Sequence, residues 1–393
     1  MCVICTMSGR QADCRYAARE TPGDLSAAGA SSHEWSASPG RSQGSASCSP
    51  GRKDDPRKAD PERPLTHEPF LDPSLHETVN LAHTELYVHL IRGQGMFNLA
   101  GYIGDYTSNM ARGLELGLTF PYVLYQLLAF SSRHLAALHP PEQSSGYTHR
   151  AIALQTTAVS LFNAASAARS VDATNCVPVL LFCATLSYHV LADTLATLDG
   201  DLDAFLARWV HCASVHRGIY TISVASWPLL MGSELSALLE MQRAFTSRLP
   251  QGDDCADARA MLDAADDLTD EERGACREAL RMLQVGFDAG FQEDEQATGR
   301  YQMIFSWGVL APPSFSALLI EKRPEALVVM GYFALLLYYA RDLWQVRDAG
   351  AYILAVITAH LDPKWQLFLR EPREKMLGRT RFGFERADGS GKV

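Results

Sequence analysis

The sequence predicts an all-α fold for the body of the chain, on three observations. Apolar residues recur at the spacing of one helix face from residue 71 onward. Several of these stripes begin with a proline or a capping residue. The sequence shows neither the alternating apolar and polar runs of half-buried strands nor an Asn-Gly hairpin signal. With 393 residues, 47 % of them apolar, the chain is long enough for a large core.

The first predicted helix begins at Asp72-Pro73, because an N-cap residue followed by proline favours a helix start. Its apolar stripe and three later stripes share the spacing of an amphipathic helix. The four stripes are Leu75, Val79, Ala82, Leu86 and Leu90; Leu124, Leu127, Leu128, Leu135 and Leu138; Tyr147, Ala151, Leu154, Ala158 and Leu161; and Leu202, Phe205, Leu206, Trp209 and Ala213. The uncharged stretch 173–192 could span a bilayer by its length, but it contains Asn175, Pro178 and His189, so we expect a buried helix.

The second half of the chain predicts three more helices. A capping box at residues 269–272, T-D-E-E, precedes the apolar stripe of one helix. Pro324 opens the most apolar helix, from Glu325 to about Trp344, and another helix follows over 350–361. Residues 252–272 hold nine acidic side chains, which predicts an exposed acidic loop. The fifteen-residue run 326–340 is too short to cross a bilayer, so we expect no membrane span.

Charge and composition divide the chain. Its net charge of −10 argues against broad binding to a phosphate backbone, so any DNA contact requires a small basic module. Residues 17–69 are rich in Ser, Gly, Pro and charge, which predicts a disordered linker between a short segment, 1–16, and a helical domain, 70–378, with a tail at 379–393. The first twenty residues contain no secretory signal, which favours an intracellular protein.

Nine cysteines, an odd number, argue against a disulfide framework in such a protein. Cys2, Cys5 and Cys14 have spacing that suits zinc, because a C-x-x-C turn aims both sulfurs at one ion. Three thiolates supply only three of the four ligands of a tetrahedral zinc site. The alternative is that these cysteines lie in a leader segment and bind no metal.

Two acidic clusters, residues 253–257 and 266–270, match D-D-x-x-D, the pattern with which all-α prenyl-transfer enzymes hold magnesium on a diphosphate. They lie thirteen residues apart, so on one helix they would point about 220° apart. We therefore favour solvated acidic segments over a magnesium site.

Residues 199–203, D-G-D-L-D, lack the later ligands of a calcium loop and are interpreted as favourable charge at a helix start. The sequence contains no phosphate-cradling glycine loop and no nucleophile elbow, so it predicts no enzyme.

Two segments resemble the fungal-specific regulatory domain of zinc-cluster transcription factors, and more closely its sterol uptake control protein branch. Residues 120–135, F-P-Y-V-L-Y-Q-L-L-A-F-S-S-R-H-L, are similar to a proline-led helix of that domain. Residues 323–337, R-P-E-A-L-V-V-M-G-Y-F-A-L-L-L, and residues 360–365, H-L-D-P-K-W, resemble its C-terminal part. The turn at 344–350 lacks two of the tryptophans of the family pattern.

The resemblance extends to Cys2, Cys5 and Cys14, which are similar to the second half of a six-cysteine cluster that binds two zinc ions. It implies a nuclear regulator of sterol or secondary-metabolite genes that reads promoter DNA through a complete cluster. The basic half of that module does not occur in the sequence, so the chain either starts late in a longer gene product or has lost DNA reading.

The resemblance also implies an apolar effector enclosed by the C-terminal helices, and it is compatible with a homodimer. We predict Met330, Phe333, Leu337 and Trp344 as the ligand-facing set, since the first three share a helix face and the last lies one heptad further. The competing interpretation is that this helix is simply the core helix. A terpenoid-class enzyme and a helical interaction scaffold without DNA binding are the alternative functions.

Overall fold

The computed structural model describes residues 80–93, 95–97, 106–289 and 298–381, all within one compact unit. These residues form sixteen α-helices and one 3₁₀ turn, with no β-strand among them. The all-α prediction is therefore confirmed for the described part of the chain. The segments predicted at 1–16 and 17–69 lie outside the described residues.

Eight helices form the first half of the described chain, and one of them, the proline-led α3, packs on four of the others. The eight are α1 (Leu81–Arg92), α2 (Tyr106–Thr119), α3 (Pro121–Leu138), α4 (Pro141–Ala168), α5 (Cys176–Ala196), α6 (Leu202–Ala225), α7 (Trp227–Met231) and α8 (Ser236–Thr246). The helices of the second half surround a second proline-led helix, α13. They are α9 (Ala256–Asp263), α10 (Asp270–Asp288), α11 (Thr298–Leu310), α12 (Pro313–Ile320), α13 (Pro324–Tyr339), α14 (Ala349–His360), α15 (Pro363–Gln366) and α16 (Arg370–Arg381).

Local sequence explains several helix starts. The side chain of Asn80 accepts a hydrogen bond from a backbone amide in the first turn of α1, at 3.1 Å. Asp201 caps α6 by accepting from two backbone amides at 2.9 and 3.3 Å, as expected for charge at a helix start. The predicted capping box of α10 is confirmed, because Thr269 and Glu272 exchange side-chain and backbone hydrogen bonds.

The prediction of a single acidic loop over 252–272 is wrong in part, because α9 forms inside it. The apolar side chains that hold this short helix against its neighbours are Cys255, Ala258, Met261 and Leu262, all buried. They recur at helical spacing between the acidic residues, so one face of the helix is covered while its own acids, Asp257 and Asp263, face solvent.

Helix α13 is the centre of the larger hydrophobic cluster, as the competing interpretation predicts for a helix that is apolar all round. Every side chain from Val328 to Met330 and from Tyr332 to Leu337 is fully buried. Helix α14 packs against α13 so closely at Gly350 that an added Cβ would lie 2.5 Å from the carbonyl oxygen of Ala334. This close approach lets α14 cover one side of the central helix.

A second cluster fills the space between α3, α4 and α5. Phe162 and Phe182 stack with ring centroids 4.3 Å apart, and Tyr122 meets both rings edge-on at 5.5 Å. Such aromatic pairs bury large apolar areas. They hold α4 and α5 against the start of α3.

Within the described residues, two helices, α4 and α5, are long and apolar enough to cross a membrane. The bent pair of α11 and α12 would add a third span if it is counted as one. In α5 just over half of the most apolar window is buried inside the protein, as expected for a core helix, but in α4 only 22 % is buried. The absence of a membrane span therefore stays a prediction.

Candidate functional site

Three of the four residues predicted to face a ligand lie together on α13. Met330, Phe333 and Leu337 are all fully buried in the larger cluster. The ring of Phe333 stacks on Trp307 at 4.4 Å between centroids and tilts against Trp209 at 4.8 Å. Protein side chains thus occupy the space around Phe333, and ligand binding by this set stays a prediction.

Trp344 lies elsewhere, so the register that grouped it with the other three residues is wrong. Helix α13 ends at Tyr339, and the chain then passes through turns in which Arg347 has a positive φ of 42°. A heptad count cannot be continued through that break. The Trp344 ring instead joins the second cluster, where it packs on Phe130 at 5.4 Å and on His134 at 4.8 Å between centroids.

Around Trp344, three side chains form what we call the His–Trp contact: His89, His134 and Trp344. The ring nitrogens His89 Nε2 and His134 Nδ1 lie 3.1 Å apart, so one histidine donates and the other accepts. The indole N–H of Trp344 donates to the carbonyl oxygen of Met96 at 2.9 Å. Burial, followed by the nearby charge of His89, lowers the pKa of His134 to about 4, so His134 is neutral at pH 7.

A polar chain lies beside this contact, between α3 and α5, where the guanidinium of Arg133 lies over the Trp344 ring at 6.0 Å from its centroid. Gln126 Nε2 lies 3.4 Å from His189 Nδ1, and His189 Nε2 lies 3.6 Å from Asp193 Oδ2. Arg133 forms an ion pair with Asp193. Burial lowers the pKa of His189 to about 4, although the Asp193 carboxylate opposes the shift. The Gln126–His189 and Arg133–Asp193 contacts join α3 to α5, and the lowered pKa leaves His189 neutral at pH 7.

The aspartates of the two D-D-x-x-D clusters do not converge on a common point in the protein. Asp254 is nearly buried, and its carboxylate accepts from Gln284 at 3.1 Å and from Lys375 at 3.0 Å. The other five aspartates are exposed: Asp253, Asp257, Asp266, Asp267 and Asp270. Asp254 therefore stabilises the contact between the start of α9 and α16.

The predicted zinc ligands Cys2, Cys5 and Cys14 lie outside the described residues, so zinc binding stays a prediction. Over residues 80–93, 95–97, 106–289 and 298–381, no group of three or more His, Cys, Asp or Glu side chains is placed to hold a metal ion.

Sequence reasoning missed a surface cleft of about 440 Å³ between α9 and α10. We call it the arginine cleft, and it is lined by Pro250, Gln251, Gly252, Arg259, Asp263, Arg277, Leu280 and Arg281. A second cavity, of about 10 Å³ and lined mostly by apolar side chains of α4, α5 and α6, is no larger than one water molecule.

A signal for these features existed in the sequence but was weak. Gln126 and His134 interrupt an otherwise apolar face of α3, and a polar residue on a core face needs a buried partner. Arg277 and Arg281 are four residues apart on α10, which puts both on one side of the helix. The partners of Gln126, His134 and Arg277 come from other segments of the chain, so spacing alone does not reveal them.

Comparison of the chain with models of known protein families gave no match, and comparison with curated proteins gave none either.

Proposed function

We propose that this chain contains the helical regulatory domain of a nuclear transcription factor of the fungal zinc-cluster type. It controls sterol or secondary-metabolite biosynthetic genes, and it has no enzymatic activity of its own. Promoter DNA is bound only by a form of the protein that carries a complete zinc cluster. The helical domain transmits the regulatory signal, with an apolar effector and a second copy of the chain as its candidate partners.

One observation carries the proposal: the two segments that resemble the family touch each other. Trp344, the first residue of the turn that follows residues 323–337, packs on Phe130 and His134 in the first segment, about 200 residues away in sequence. The guanidinium of Arg347 also donates to the carbonyl oxygen of Ala137, at the end of α3. Segments that resemble one domain and also form one packed junction support the inference that the resemblance describes a real structural unit.

A reporter assay tests the proposal. The full chain is fused to an unrelated DNA-binding domain, and transcription is measured from a promoter with intermediate basal activity, so that activation and repression are both visible. We expect a change of several-fold, which Trp344→Ala reduces and Tyr220→Ala, at an exposed ring outside the junction, leaves intact. Transcription equal to that of the DNA-binding domain alone would contradict the proposal.

A gel-shift assay at physiological salt tests the DNA-binding part separately. The six-cysteine cluster needs three more cysteines than Cys2, Cys5 and Cys14 and also needs its basic helix. We expect the 393-residue chain to bind promoter DNA weakly, with affinity falling further as salt rises. Nanomolar, sequence-selective binding would show that another surface reads DNA.

The terpenoid-enzyme alternative gains no support from the aspartate clusters. Asp254 is bound to Lys375 and Gln284, and a carboxylate already paired with an ammonium group is a poor magnesium ligand.

A further inference from the structure

We propose that the arginine cleft between α9 and α10 binds a small molecule that carries two or more phosphate groups. This inference concerns a different surface from the His–Trp contact and does not depend on the proposed function.

The cleft is built from two helix faces and one fixed loop. Arg259 and Asp263 are four residues apart on α9, and Arg277 and Arg281 are four apart on α10, so each pair shares a helix face. Asp263 Oδ1 accepts from Nε and Nη2 of Arg277, at 3.0 and 2.5 Å, which ties the two faces together. The walls are therefore set before any ligand arrives.

The third wall, residues 250–252, is held by α10. The backbone amides of Gln251 and Gly252 donate to the carboxylate of Asp288 at 2.7 and 2.9 Å. A side chain at Gly252 would collide with Asp288 and Gln284, since an added Cβ would lie 2.5 and 2.6 Å from them. Residues 250–252 therefore pack against α10, and the Asp288 carboxylate is hydrogen-bonded by two backbone amides.

Each arginine of the cleft keeps hydrogen-bonding capacity for a ligand. Arg277 uses Nε and Nη2 on Asp263, and Arg281 uses Nε and Nη2 on Glu278 at 2.8 and 2.7 Å. In both arginines the remaining nitrogen, Nη1, donates to no group in the described part of the chain. Arg259 is exposed and forms no ion pair within the described part of the chain.

This arrangement suits phosphate more than a single small anion. The planar guanidinium fork of arginine matches the geometry of phosphate oxygens, and the donors here come from two helices. A volume of about 440 Å³ is within the range of about 300 to 1,000 Å³ that small-molecule sites occupy, and it exceeds the size of one tetrahedral anion. Because the chain carries a net charge of −10, its overall field does not attract anions, so the local donors must select the ligand.

Isothermal titration calorimetry of the full chain with inorganic pyrophosphate tests the inference. We expect saturable binding of one pyrophosphate per chain, at least tenfold tighter than sulfate at equal ionic strength. Arg259→Gln should weaken binding fivefold or more. Arg243→Gln, at an exposed arginine on α8 outside the cleft, should leave binding unchanged.

A second variant is expected to strengthen pyrophosphate binding instead of weakening it. Asp263→Asn removes the carboxylate that competes for Arg277, so we expect tighter pyrophosphate binding, with circular dichroism showing that the helices remain. Adenosine diphosphate is titrated beside pyrophosphate, and tighter binding of either compound supports the inference while identifying an organic or an inorganic ligand. Absence of binding at millimolar pyrophosphate, equal affinity for sulfate, or equal weakening by Arg243→Gln would overturn it.

Discussion

The closest approach between helices α13 and α14 allows a quantitative test of the fold at Gly350. In Gly350→Ala the new methyl group would lie 2.5 Å from the carbonyl oxygen of Ala334 and 2.6 Å from the backbone nitrogen of Tyr338. Comfortable contacts between heavy atoms begin at about 3.5 Å, so α14 must move away by roughly 1 Å. Both atoms belong to the main chain of α13, and neither can rotate aside as a side chain would.

We expect this overpacking to lower the free energy of unfolding by about 1 to 3 kcal/mol. For a domain of this size each kcal/mol corresponds to a fall in Tm of roughly 1 to 2 °C. Gly274→Ala is the matched control, because Gly274 is exposed on α10 and an added Cβ meets nothing within 4 Å. Since alanine favours a helix over glycine, that variant should gain about 0.5 to 1 kcal/mol.

Thermal and urea unfolding, followed by far-ultraviolet circular dichroism, measure both variants against the wild-type chain. The two substitutions add the same atom to a glycine in a helix, so opposite signs isolate the effect of the α13–α14 contact. If Gly350→Ala were as stable as the wild type, or more stable, α14 would not lie against α13 as described.

Two further predictions concern the core and the buried histidines. Phe333→Ala should cost about 3 to 5 kcal/mol in urea unfolding, because its buried ring stacks on a tryptophan, whereas Leu367→Ala, at an exposed position, should change stability by less than about 0.5 kcal/mol. A loss below about 1.5 kcal/mol for Phe333→Ala would instead favour a cavity beside α13. Burial lowers the pKa of His134, His189 and His216 from 6.5 to about 4, so the unfolded chain binds protons first on acidification, and the free energy of unfolding should fall between about pH 6.5 and pH 4. Urea midpoints at pH 7.5, 6 and 5 that do not differ would refute this.

Part of the site could not be predicted because it depends on where a helix ends. The apolar run of α13 predicts its start at Pro324 and its central position correctly. The end at Tyr339 follows from the turns that bring Trp344 onto α3, and the contact made there involves Phe130 and His134, about 200 residues away. Local periodicity contains no information on such a partner, so it predicts the wrong surroundings for Trp344.

Sequence alone predicts the helical class, most of the apolar stripes, the acidic start of α6 and the capping box at Thr269, because these depend on residues within one or two turns of each other. Which helix faces meet is known only from the three-dimensional packing. It set His134 against His89 and Trp344, joined Asp254 to Lys375, and gathered three arginines around one cleft. The physical reason is that burial and charge pairing act between groups close in space, and their effect on a pKa or an ion pair appears only once the chain has brought distant segments together.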